Sequence, residues 1–337
     1  MIESRPAHHR LSKLALSAAS AALLATLAPL TARAQADEPW PSRPINIVVA
    51  SGVGTGVDLL ARAMGQRMSA ALKQPVIVDN KPGANGVLGA QAVIRTKPDG
   101  YTLLYSNASN FAVAPALVKS LPFDTVRDFT PIAQTAAGGI LLMVNKSVPA
   151  STLPELIALV KAYPGKFNYG TWGTGSTGHM VTEWLSAKAG IRMVHVPYKT
   201  TPQVVSDLAS GVLQVGWSDP TTPIPMLEQG LIKGIAINGN TRSPRTATIP
   251  TMTEQGYPFN AVGWFGVFGP AGMAKPLVDR LNREVNLAHR DPEMAKRMEG
   301  MNLEPFPNKT ADEFRTILAN DIRTWQGIVK EANIPVE

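Results

Sequence analysis

Two glycine-rich segments contain the residues whose types and spacing could do chemistry. Residues 51–58 (SGVGTGVD) lie between a predicted strand and a predicted helix, and residues 170–179 (GTWGTGSTGH) have the same position in a later strand–helix pair. Glycines let a backbone approach a ligand closely, and the first amides of a helix are unpaired donors at the positive end of its dipole. The two segments therefore predict two places where an anion is held.

The second segment also leaves two enzymes open. Gly173, Gly175 and Gly178 form the GxGxxG pattern of dinucleotide-binding folds, but VPYK at 196–199 stands where the ribose-binding acid should be. Lys199 could instead meet a 2′-phosphate, so an NADP-dependent enzyme is one alternative. A secreted serine hydrolase that uses Ser176 is the other, although the nucleophile elbow would need a glycine at position 174.

Other candidates follow from their positions along the chain. Tyr198 ends a predicted strand, at the edge where α/β sheets bind ligands, whereas we interpret the neighbouring His195 as structural. Trp172 lies inside the glycine-rich loop and is the best candidate for stacking on a ligand. The candidate ligand-binding residues are Ser51, Gly54, Thr55, Gly56, Asp58, Ser106, Trp172, Thr174, Gly175, Ser176, Thr177, His179, Tyr198 and Asp219. We assign no catalytic residue, metal ligand or cofactor.

Short β-branched runs alternate with longer segments of helical periodicity, which predicts an α/β protein with mainly parallel sheets. Capping boxes at Thr152 and Thr310 and a proline at 276 indicate helix starts. Strands near 140–144 and 264–268 could carry the chain from one lobe to the other and back. The predicted strands are residues 45–49, 76–78, 101–105, 140–144, 167–170, 193–196, 213–217, 234–237 and 264–268.

Composition excludes several classes of protein. The chain has 337 residues, enough for about two domains, and it contains no cysteine, so disulfides, thiolate nucleophiles and cysteine-ligated metals are excluded. Its formal net charge of +7 comes from scattered lysines and arginines, without a basic run interleaved with aromatics. We therefore expect no nucleic-acid partner.

The N-terminus predicts a secretory signal peptide over residues 1–36. Arg5, Arg10 and Lys13 precede an uncharged Ala/Leu-rich run, which ends near the AQA pattern at 34–36. Pro29 interrupts that run before it reaches the length of a comfortable membrane span. The expected mature protein is periplasmic and, without a lipobox cysteine, carries no lipid anchor.

These motifs together resemble the substrate-binding receptors of tripartite tricarboxylate transporters, the TctC-like or Bug family. The resemblance covers essentially all of the mature chain. It is carried by WPSRPI at 40–45, VDNKPGANG at 78–86, KPDGYTLL at 97–104, LPFD at 121–124, PGKFNY at 164–169, GTGS at 173–176 before His179, HVPYK at 195–199, PTM at 250–252 and RLN at 280–282.

The resemblance implies a two-lobed Venus-flytrap receptor, type II-like and without catalysis, that binds a carboxylate between its lobes. It implies lobe I at 37–142 and 263–337 and lobe II at 143–262, with two crossover strands. A membrane permease pair would be the partner, and we expect a monomer. The chain departs from the family in its first loop, which lacks the usual aromatic and prolines, and in Trp172. An aromatic or larger apolar carboxylate is therefore as plausible as a small diacid.

Overall fold

The computed structural model describes residues 40–83, 86–220, 222–239, 241–242, 246–259, 261–300 and 308–336. Internal contacts divide the chain into Met1–Ser42 and Arg43–Glu337, and every element below belongs to the second unit. The predicted signal peptide at 1–36 and two residues of the VDNKPGANG motif lie outside the described residues.

Sheet A has five strands in the order β2-β1-β3-β10-β4. Strand β1 lies between β2 and β3 and is parallel to both, while β10 is antiparallel to both β3 and β4. Four of the five residues of β1 are buried, which explains its nearly continuous apolar sequence. The bounds are β1 Ile45–Val49, β2 Val76–Asn80, β3 Thr102–Asn107, β4 Phe129–Gly138 and β10 Gly263–Pro270.

Sheet B repeats this arrangement in the order β7-β6-β8-β5-β9. Strand β6 is parallel to β7 and β8, and β5 is antiparallel to β8 and β9. The bounds are β5 Leu141–Asn145, β6 Asn168–Thr171, β7 Val194–Pro197, β8 Val215–Ser218 and β9 Ile232–Ile237.

The sheets are mixed rather than mainly parallel, and each antiparallel pairing just named involves β5 or β10. These are the two strands that follow a passage between the sheets, and both were predicted as crossover strands. Only residues 139–140 separate β4 in sheet A from β5 in sheet B.

Two of the helices begin at the capping boxes that the sequence predicts. Thr152 and Thr310 both form the predicted capping boxes, with Glu155 and Glu313 as reciprocal partners. A π-helical turn at Ser109–Val113 leads directly into a short α-helix. The α-helices are α1 Gly56–Leu72, α2 Val87–Ile94, α3 Ala114–Leu117, α4 Leu153–Ala162, α5 Thr177–Ala189, α6 Thr201–Ser210, α7 Ile224–Glu228, α8 Lys275–His289, α9 Pro292–Gly300 and α10 Ala311–Glu331.

One hydrophobic core cluster contains residues from both sheets. It includes a group that we call the aromatic junction: Trp184 of α5, Phe259 from the segment before β10, and Trp325 of α10. The ring centroids of Trp184 and Phe259 are 4.9 Å apart, and those of Phe259 and Trp325 are 5.7 Å apart. Beside it, Lys188 of α5 forms an ion pair with Glu331 at the end of α10.

Candidate functional site

The carboxyl ends of the parallel strands in both sheets open into one cavity of about 630 Å³. Its wall includes the segments that follow β1 and β3 in sheet A and those that follow β6, β7 and β8 in sheet B. The end of β4 and the start of β10 line the rest. This is the edge at which α/β sheets bind ligands.

Eight of the candidate residues line this cavity, and six do not. The residues that line it are Ser51, Thr55, Gly56, Trp172, Thr174, Thr177, Tyr198 and Asp219. The residues that do not line it are Gly54, Asp58, Ser106, Gly175, Ser176 and His179. The hydrogen bonds of these six explain the division.

In the first loop, Asp58 points away from the cavity. Its carboxylate is 1% exposed; it accepts hydrogen bonds from the Gly54 amide and the Asn80 side chain, both at 2.9 Å, and pairs with Arg62 at 3.0 Å. Burial raises the pKa of Asp58, but these donors outweigh burial and hold it below its usual value. The Asp58 side chain therefore holds the first loop in place through these bonds. The structure assigns it this role instead of the expected contact with a ligand.

Thr55 turns the same loop into helix α1. Its hydroxyl donates to the Gly52 carbonyl at 2.8 Å and accepts from the Asp58 amide at 3.4 Å, as an N-cap does. The first intrahelical bond runs from the Leu59 amide to the Thr55 carbonyl. The amides of Gly56 and Val57, whose residues line the cavity, therefore precede the helical ladder and face outward as donors.

In the second loop, Ser176 is a buried N-cap of α5. Its hydroxyl accepts from the His179 amide at 3.3 Å and donates to Thr171 Oγ1 at 3.1 Å. The His179 Nδ1 atom accepts from the Gly175 amide at 3.2 Å. Ser176 therefore donates to Thr171, and the Nδ1 atom of His179 accepts from the Gly175 amide. The structure does not pair the two side chains as a nucleophile and its base, so it gives no support to the hydrolase alternative.

His195 packs against residues of this second loop, in agreement with its interpretation from the sequence as a structural histidine. Its ring stacks on His179 with centroids 4.2 Å apart, and its Nε2 atom lies 2.7 Å from Thr171 Oγ1. Burial, with a smaller contribution from the charge of His179, lowers the pKa of His195 to about 4. The ring is therefore neutral at physiological pH.

Gly178 lets the first turn of α5 pack closely against two tryptophans. A Cβ atom at this position would lie 2.9 Å from Trp217 Cβ and 3.2 Å from Trp172 Cζ3. The absence of a side chain lets the Trp172 indole lie against the first turn of α5 while it also lines the cavity.

The start of α6 forms another part of the wall. Tyr198 lines the cavity while its hydroxyl donates to Asp207 at 2.7 Å. Asp219, after β8, accepts from the Thr201 hydroxyl at 3.1 Å, and from the Thr222 amide at 3.1 Å and hydroxyl at 2.9 Å. These bonds orient the Asp219 carboxylate at the cavity wall.

Sequence reasoning missed the segment after β3. Residues 107–110 line the cavity, and Ser109 accepts a hydrogen bond from the Thr177 amide at 3.2 Å and lies 3.3 Å from its hydroxyl. This contact joins the π-helical turn beside sheet A to the first turn of α5 beside sheet B. Ser106, a predicted candidate, is buried behind it and accepts from Asn110. A π-helical turn has no simple periodicity that would have indicated it.

Two sheets with their strand ends around a shared cavity define a two-lobed solute-binding protein. Residues 60–334 match the family model described as "Tripartite tricarboxylate transporter family receptor", and the chain belongs to this family. It is a binding protein of transport, not an enzyme, so the NADP-dependent alternative is also set aside.

The chain is 32% identical over 294 residues to Protein BugT of Bordetella pertussis, covering 87% of this chain and 90% of that protein. The structure of R. palustris Rpa4515 with adipate aligns with a TM-score of 0.82 at 29% identity, covering 88% of this chain and 99% of that one. MatC from Rhodopseudomonas palustris with bound malate aligns with a TM-score of 0.80 at 27% identity, over 86% and 100% of the two chains.

In the described residues the structure shows neither a helix that could span a membrane nor a cluster of metal-ligating side chains. None of the helices in this part of the chain is long and apolar enough to cross a membrane. Within the same residues, no group of three or more His, Asp or Glu side chains could hold a metal ion.

Proposed function

We propose that this protein is a periplasmic receptor that captures a small carboxylate in the cavity and delivers it to a membrane permease pair. The observation that carries the proposal is the convergence of strand ends from both sheets on one cavity of about 630 Å³. Pockets of this size suit ligands ranging from small acids to bulkier aromatic ones.

Helix starts favour an anionic solute. The Gly56 and Val57 amides of α1 precede the hydrogen-bond ladder, and Thr177 and Thr201, the first residues of α5 and α6, also line the cavity. Donors at the positive ends of helix dipoles stabilise a carboxylate without an arginine. The relatives solved with adipate and malate support the same class of solute.

In this proposal one lobe is residues 37–142 with 263–337 and the other is residues 143–262, a boundary that falls two residues inside β5, whose whole length pairs in sheet B. A solute that touches segments of both lobes binds the closed form more tightly than the open form, and that difference shifts the population toward closure. The closed form is what the permease pair would recognise.

A thermal-shift screen of the purified chain from residue 37 tests the solute class. Carboxylates are expected to raise the melting temperature with and without a chelator, since a solute at 100 times its Kd stabilises by about 2.7 kcal/mol. A set of hits dominated by sugars or divalent cations would contradict the proposal. N-terminal sequencing of periplasmic extract tests the expected start near residue 37.

A pair of variants tests the helix amide directly. Proline is well tolerated at the first position of a helix, and the extended backbone of Thr55 (ψ 160°) suits a following proline. Gly56→Pro removes one amide donor, and Gly56→Ala keeps it while adding a Cβ atom. Carboxylate affinity should fall by about 1.5–3 kcal/mol in the proline variant relative to alanine, the value for a hydrogen bond to a charge. Equal affinities would remove α1 from the proposed site.

A further inference from the structure

Charge within the cavity points to a narrower class of solute, an inference that rests on the proposed function. In the described part of the chain, the charged side chains that line the cavity are Lys199 and Asp219. Lys199 is exposed, whereas Asp219 is half-buried and oriented by Thr201 and Thr222. The formal charges of this lining therefore cancel.

A second carboxylate would be unfavourable in such a cavity. One anionic group can be matched by the helix starts and by Lys199, but a second would enter a site that already contains the negative charge of Asp219. Like charges repel more strongly in a partly desolvated cleft than in water. A neutral hydroxyl or a cationic ammonium group is instead stabilised by a carboxylate acceptor.

The remaining surface is suited to an apolar body. Trp172 and Phe265 line the cavity together with small residues at the end of β4. Aromatic rings contribute apolar contact area without adding charge.

We infer that the solute is a monocarboxylate that carries a hydroxyl or ammonium donor, and that Asp219 is the residue that recognises this donor and discriminates against diacids. The anionic end would lie at the helix starts and the donor end at Asp219. Asp219 is thus a specificity-determining residue of the proposed site.

Matched probes separate this inference from the general proposal. Four-, five- and six-carbon chains are used as unsubstituted monocarboxylates, ω-hydroxy acids, ω-amino acids and diacids. Calorimetry measures each Kd for the wild type, for Asp219→Asn and for Asp279→Asn. The last variant removes an equal charge from an exposed position of α8 that does not line the cavity.

At the best chain length, the wild type should bind a hydroxy or amino acid about ten- to a hundredfold more tightly than the matching diacid, the range for one hydrogen bond to a charged group. Asp219→Asn should abolish this preference, while Asp279→Asn should retain it. Asparagine keeps an oxygen that can accept from the Thr222 amide, and melting curves of the variants verify folding.

Diacids that bind the wild type as tightly as donor-bearing acids would overturn the inference and leave the receptor proposal intact. Equal weakening of all probes by Asp219→Asn would also overturn the inference and leave the receptor proposal intact. If no carboxylate of any length binds, the receptor proposal itself fails and this inference fails with it.

Discussion

Replacing Asp58 by asparagine should destabilise the fold much more than it weakens solute binding. The substitution removes the negative charge opposite Arg62. The single oxygen of the asparagine side chain can keep the hydrogen bond from the Gly54 amide or the one from the Asn80 side chain, but not both. Arg62 is 46% exposed and water can replace that pairing, so its loss costs little. The lost bond to a buried charge dominates, at about 1.5–3 kcal/mol.

Differential scanning calorimetry measures this effect. At about 2–4 °C per kcal/mol for a protein somewhat smaller than this one, the melting temperature should fall by about 3–12 °C at most. Asp279→Asn, at an exposed ion pair, serves as the control and should shift it little. An Asp58→Asn variant that melts like the wild type but no longer binds solute would refute the structural role and restore the predicted contact with ligand.

Acid should act on the same group. Because the pKa of Asp58 is lowered in the folded state, its contribution to stability is present above the unfolded value near 3.8 and is lost as the pH falls through the folded value. The wild type should therefore lose more stability below pH 4 than the asparagine variant does.

Three further outcomes are expected. Ser176→Ala should lower the free energy of unfolding by about 1 kcal/mol, as the loss of an N-cap does, which calorimetry measures. In an ester-hydrolysis assay, neither the wild type nor this variant should show activity. Because the pKa of His195 is lowered in the folded state, the free energy of unfolding should fall as the pH decreases from 6.5 to about 4. His195→Gln should reduce this pH dependence, as measured by equilibrium denaturation. Part of it should remain, because burial also lowers the pKa of His289. Trp172→Ala should weaken binding of acids with a bulky apolar body more than that of short ones, as measured by titration calorimetry, and equal losses would contradict a stacking role.

The sequence predicted those elements of the fold whose formation depends on neighbouring residues. The apolar run of β1 and the two capping boxes lie where they were predicted, because strand burial and N-capping depend on neighbouring residues. Strand β4 was missed: its sequence FTPIAQTAAG contains a proline and small residues, and its burial results from packing that no local pattern encodes. The mixed pairing in each sheet depends on β5 and β10, whose direction follows from tertiary topology.

The candidate site was predicted at the level of loops and not of atoms. Both glycine-rich loops contribute to the cavity wall, but Asp58 and Ser176 within them bond inward. Which side of a loop faces a ligand depends on partners distant in sequence, such as Asn80 and Thr171, that spacing cannot identify. Ser109 lines the cavity from a π-helical turn that contacts the first turn of α5, and such a turn has no periodicity that a sequence pattern could indicate.

The aromatic junction has a consequence for how the chain can come apart. Trp184 and Trp325 both pack on Phe259, and the two tryptophans belong to helices associated with different sheets. Melting either half alone would expose indole surface that the other half now covers. The two halves should therefore unfold in a single calorimetric transition, and neither, produced as a separate fragment, would keep a complete core.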